Sequence, residues 1–94
     1  MKLKDFKMLE TEMPKGVQAI LDFGEYELSI VQNESSYGNK QGLYEIAVFK
    51  DNGQVELPGI TAEGDTVKGY LTEEDVNMIL KKMYLFTGNI PQQI

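Results

Sequence analysis

The stretch that most constrains the fold is LYEIAVFKDNGQVEL, residues 43–57. Residues 43–50 are apolar on both faces apart from Glu45 and Lys50. Tyr44, Ile46, Val48 and Phe49 all favour extended backbone, which is the composition of a central strand. Asp51-Asn52-Gly53 then supplies residues that tolerate positive φ, and Gln54 to Leu57 returns as a short strand, so the segment predicts a tight hairpin. Pro58 offers no N–H and stops the ladder at an edge. A hairpin alone is marginal in water; the flanking sequence supplies what it needs.

Upstream, Val17, Ala19, Leu21 and Phe23 alternate with Gln18, Ile20 and Asp22. After Gly24-Glu25 the alternation resumes, with Tyr26, Leu28 and Ile30 set against Glu25, Glu27 and Ser29. Period two on both sides of a short break predicts a second hairpin with one wet face. Between the hairpins, NESSYGNKQG (residues 33–42) places a lone Tyr37 among turn formers, the composition of a flexible loop. Downstream, PGITAEGD reads as loop and Val67 to Leu71 as one more short strand or a bridge.

The end of the chain carries the clearest helix signal. Thr72 stands at an N-cap, Glu73, Glu74 and Asp75 fill the first turn, and Gly88 stands at C′, so a helix is predicted over 73–87. At 100° per residue, Val76, Ile79, Leu80, Met83, Tyr84 and Thr87 share one side, which covers the sheet. Near the other end, Leu3, Phe6, Leu9 and Met13 fall within a stripe about 120° wide and Pro14 follows. That spacing predicts a second amphipathic helix over 3–13, although Lys2, Lys4 and Lys7 oppose the macrodipole at its start. Residues 88–94 show no period and are expected to form a loose tail. The expected fold is a single α+β domain over 1–94: a small antiparallel sheet of four to five strands with an N-terminal and a C-terminal helix packed on it.

Absent side chains narrow the function. The 94 residues include no Cys, His, Trp or Arg. Thiol nucleophiles, zinc thiolate sites, redox pairs, imidazole bases and Ser-His-Asp arrangements fall away. Without Arg the bidentate fork that reads guanine and clamps phosphate is missing, leaving nine Lys as point charges. A net charge of −6 repels nucleic acid and anionic membranes on average. No apolar run of signal or spanning length follows the early lysines, so a cytoplasmic protein is expected.

Four constellations remain. Glu63, Asp65, Glu73, Glu74 and Asp75 form an acidic group that suggests oxygen ligation of a divalent cation, with Glu63, Asp65 and Glu73 as the residues of a carboxylate-dependent metal enzyme. Their spacing matches no calcium loop, and three acids in a first helical turn are explained by the macrodipole. The glycines of YGNKQG and GITAEGD match no phosphate-binding loop and serve as turn residues. Tyr26, Tyr44 and Phe49 resemble a base-stacking platform, but the interleaved Glu25, Glu27 and Glu45 favour cross-strand packing. Met78 and Leu85 lie a heptad apart on the side of the helix away from its apolar stripe, with Lys81 and Lys82 between them. They suggest a dimer seam or a partner contact unless helix 3–13 covers them.

The stretch LYEIAVFKDNGQVELPGITAEGDTVKGYLTEEDVNMILKKM, residues 43–83, resembles a pattern of small proteins of bacteriophages and prophages of Gram-positive bacteria. The resemblance implies a small accessory protein of the bacterial cytoplasm and carries no catalytic residue. Taken together, the expectation is a non-enzymatic protein that binds a protein partner or a second copy through Met78, Leu85 and Tyr37, with no cofactor, metal, nucleic acid or membrane. An acidic mimic of nucleic acid that binds a basic protein is an alternative.

Overall fold

The structure, a computed structural model, describes residues 1 to 94. Seven strand segments form one antiparallel sheet: β1 (Leu9–Glu12), β2 (Lys15–Asp22), β3 (Glu27–Asn33), β4 (Tyr44–Lys50), β5 (Gly53–Gln54), β6 (Val67–Leu71) and β7 (Gln92–Gln93). One helix, α1 (Glu73–Thr87), packs on it. The segments occupy five lanes. β2, β3 and β4 fill the centre. One edge lane is shared end to end by β1 and β7, both paired to β2, and the other by β5 and β6, both paired to β4.

Register explains the core. Ala19 pairs with Ile30 and Ile30 with Ile46, while Leu21 pairs with Leu28 and Leu28 with Val48. Two rows of fully buried residues therefore cross the three central strands on one face. Val76, Ile79, Leu80 and Met83 of α1 close over them, helped by Phe23, Leu57, Ile60 and Leu71. Each such side chain contributes about 1.5–3 kcal/mol relative to leaving it in water. The opposite face carries no helix. Its middle row is Ile20, Ser29, Ala47 and Val67, and Ser29 Oγ accepts a hydrogen bond from Gln18 Nε2 at 3.0 Å.

The hairpin expected at 43–57 forms at its turn, but its return strand is only Gly53–Gln54 and does not run on to Leu57. Lys50 pairs with Gly53, so Asp51 and Asn52 are the two loop residues, at φ 53° and 67°. Both angles suit the twist of a two-residue hairpin loop. Helix α1 also matches its sequence signals. Thr72 Oγ1 accepts from the Asp75 N–H at 3.1 Å, and Asp75 Oδ2 accepts from the Thr72 N–H at 2.9 Å. Gly88, at φ 73°, sends its N–H to the Tyr84 carbonyl at 2.8 Å.

The expected two-helix arrangement is overturned: the molecule is mostly sheet, with seven strands in place of four to five and no N-terminal helix. Residues Leu3–Asp5 make a single 3-10 turn, and Leu9–Glu12 are β1. Only Leu3 of the supposed stripe is buried, and Met13 is 94% exposed at the hairpin tip. An eleven-residue helix is marginal by itself, and the lysines disfavour its first turn. Extended residues 9–12 instead satisfy the backbone of β2, which no other segment reaches there. The tail is likewise paired: Gln92 and Gln93 face Asp22 and Leu21, and the Ile94 N–H donates to the Ile20 carbonyl at 2.9 Å.

Candidate functional site

Helix α1 presents a ridge to solvent. Met78 and Leu85 lie on its outer side, 55% and 68% exposed, and the absent N-terminal helix leaves them uncovered. To one side of the ridge runs an open groove of about 610 Å³, lined by Met1, Asn77, Met78, Lys81, Tyr84 and Ile90 among others. To the other side a smaller groove is lined by Gly59, Lys68, Tyr70, Asp75, Met78 and Lys82 among others. Met78 belongs to both. Six of the exposed large apolar side chains, Met1, Met78, Tyr84, Leu85, Phe86 and Ile90, lie on α1 or beside its ends. Such concentration, rather than any single exposed residue, distinguishes a contact surface.

The ridge is also charged. Glu74, Asp75, Lys81 and Lys82 are all exposed, and none is ion-paired within the chain, whose one salt bridge joins the Met1 amino group to Asp5. The carboxyl of Asp75 is held below the usual carboxylate range, first by the Thr72 backbone N–H, then by the Thr72 side chain, with a smaller contribution from the nearby Lys68 charge.

Tyr37 is held by a second device next to the smaller groove. In the pairing of β4 with β6, Tyr44 faces Leu71 and Ile46 faces Lys68, so Gly69 and Tyr70 together stand opposite Glu45. The extra residue is a β-bulge, and Tyr70 takes the left-handed conformation, at φ 57°. For a residue with a bulky side chain this conformation costs about 1–2 kcal/mol. The bulge turns the Tyr70 ring outward against Tyr37, near-parallel at a centroid distance of 6.2 Å. Both rings stay more than half exposed. The Tyr70 N–H donates to the Tyr37 carbonyl at 3.3 Å, and the Tyr37 N–H to Glu45 Oε1 at 2.8 Å. A Cβ on Gly69 would lie 2.5 Å from Tyr37 Cβ, so the stack requires glycine there. Strained backbone that holds exposed aromatic rings is a pointer to contact with another molecule.

Of the sequence-predicted residues, Met78 lies on the ridge beside the Tyr70 groove, Leu85 lies two turns further along the same ridge, and Tyr37 is stacked on Tyr70. Tyr70, Tyr84 and Ile90 were not legible as surface residues. Tyr70 reads as a strand residue until the bulge is known. Tyr84 falls on the edge of the apolar stripe, and Ile90 lies beyond the helix in a segment without period. The alternative carboxylate site does not assemble, because nowhere do three or more acidic side chains converge in a group able to hold a metal ion. Of that set, Asp65 instead accepts a backbone N–H of its own loop, from Thr66 at 2.7 Å. No helix is long and apolar enough to cross a membrane. No protein-family model, curated protein or solved structure matches the chain.

Proposed function

We propose that this protein is a non-enzymatic binding protein that engages a protein partner through the outer side of α1 and the adjoining tyrosine stack. The carrying observation is the gathering of exposed apolar side chains on and beside one helix, with Met78 between two grooves. Met side chains adapt to irregular partner surfaces, which suits a contact of this kind. The net charge of −6 and the absence of Arg favour a protein over nucleic acid or an anionic membrane. The resemblance of residues 43–83 to phage and prophage proteins supports a place among accessory proteins acting in the bacterial cytoplasm.

The test is site-specific photo-crosslinking in a bacterial host. A photoreactive residue at Met78 should form a covalent adduct with protein, and the same residue at Ala47, on the opposite sheet face, should not. Absence of an adduct from position 78, or equal adducts from both positions, overturns the proposal.

A further inference from the structure

We infer that the outer face of α1 is self-complementary and pairs antiparallel with α1 of a second copy about a two-fold axis beside Met78. The inference rests on the binding surface proposed above and names its occupant.

The charges carry it. With Val76 at 0° and 100° per residue, Met78 lies at about 200°, flanked by Glu74 and Lys81 near 150° and by Asp75 and Lys82 near 250°. Each flank thus holds one acid and one lysine, seven residues apart, with the acids toward the start of the helix and the lysines toward its end. In an antiparallel pair related by a two-fold axis, each flank meets the same flank of the other copy, running the opposite way. An axis beside Met78 then sets Glu74 opposite Lys81 of the second copy on one side, and Asp75 opposite Lys82 on the other. Symmetry repeats both, giving four opposite-charge pairs. A parallel pairing would set acids against acids and lysines against lysines at the same level. None of these four charges has an ion pair inside the chain, so each is open to one across the axis, Lys82 by giving up its 3.3 Å hydrogen bond to the Gly59 carbonyl.

The apolar residues fit the same axis. Met78 meets Met78 at the centre, where a flexible side chain packs against its own symmetry mate. Leu85 lies about 10 Å further along the helix at 1.5 Å per residue. The two-fold carries it toward the start of α1 in the second copy, the end at which β6 with its exposed Tyr70 leads into the helix. Leu85 of the other chain is thus the apolar side chain that this arrangement brings toward the strained tyrosine.

Sedimentation equilibrium on the purified full chain tests this, with the mass expected to rise from 10.6 kDa toward twice that value with concentration. Glu74→Lys and Lys81→Glu, each alone, replace two attractive pairs by two repulsive ones and should weaken association about tenfold. The double variant Glu74→Lys/Lys81→Glu should recover it, since the reversed charges face each other again. Lys81→Glu serves as the second single variant because Glu74→Lys also opposes the helix macrodipole, and circular dichroism checks that α1 persists in each. A wild-type monomer at every concentration, or a double variant as weak as the singles, overturns the inference. A monomer that still yields the Met78-specific adduct in cells sinks the second copy as occupant while the wider binding proposal stands; loss of both sinks both.

Discussion

Two glycines and one tyrosine show how much single positions decide. Gly69→Ala puts a methyl group 2.5 Å from Tyr37 Cβ. It should destabilise the fold by about 1–3 kcal/mol in urea unfolding, as overpacking does, and the NMR signals of both tyrosines should shift. A Cβ on Gly16 would run into backbone instead, against Asn33 Cα and the Gln32 carbonyl, which cannot rotate away, so Gly16→Ala should cost more than Gly69→Ala in the same measurement. At Tyr70 the left-handed backbone separates two truncations that remove the same ring. Tyr70→Gly should exceed Tyr70→Ala in stability by about 1–2 kcal/mol, the left-handed penalty for a residue with a Cβ. Equal stabilities would mean that the bulge relaxes once the ring is gone. The sequence marks Gly69 as a place where the chain can bend, but its φ is not left-handed. The residue serves by leaving room, a requirement set by Tyr37, which lies 32 positions earlier in the chain.

At the scale of elements, legibility follows how locally an element is determined. Helix α1 was readable because cap, first-turn acids, stripe and terminal glycine lie within 17 consecutive residues, 72–88. The hairpin at 43–57 was readable for the same reason. The segment 3–13 was not, since its apolar spacing suits a helix while its conformation is set by the bare edge of β2. Thr72→Ala should cost about 0.5–2 kcal/mol of stability through the lost cap. The reciprocal half of that cap makes a pH prediction. The Asp75 carboxyl is more acidic in the folded chain than in the unfolded one. Its stabilisation is therefore present above the ordinary carboxylate range and is lost as pH falls through its own, lower range. Urea midpoints at neutral pH and near pH 3 should converge in Asp75→Asn relative to wild type, because the variant has no such proton to take up. Inside the helix, Leu80→Ala empties a fully buried position over the sheet and should cost about 2–5 kcal/mol.

For the whole molecule, the five-lane sheet depends on two segments from far apart in the chain. Gln93 joins them: its Oε1 accepts from the Lys7 N–H at 2.9 Å, and its Nε2 donates to the Lys7 carbonyl. Removing residues 92–94 should therefore loosen β1 as well as the β2 edge, seen as faster amide exchange at both, while exchange in β4 changes little. The covering role of α1 was legible in the sequence; the mostly-sheet architecture with one helix and its shared lanes was not, because a two-residue strand has no period to read and the spacing of residues 3–13 mimics a helix. The same junction bears on how the protein is made. Lys7 and Gln93 stand 86 positions apart, so during synthesis the Leu21–Asp22 end of β2 lacks its outer neighbour until the segment around Gln93 has been made. The helix that covers the sheet is therefore synthesised before the sheet's last lane can be filled, and closure of that lane is the final step open to the nascent fold.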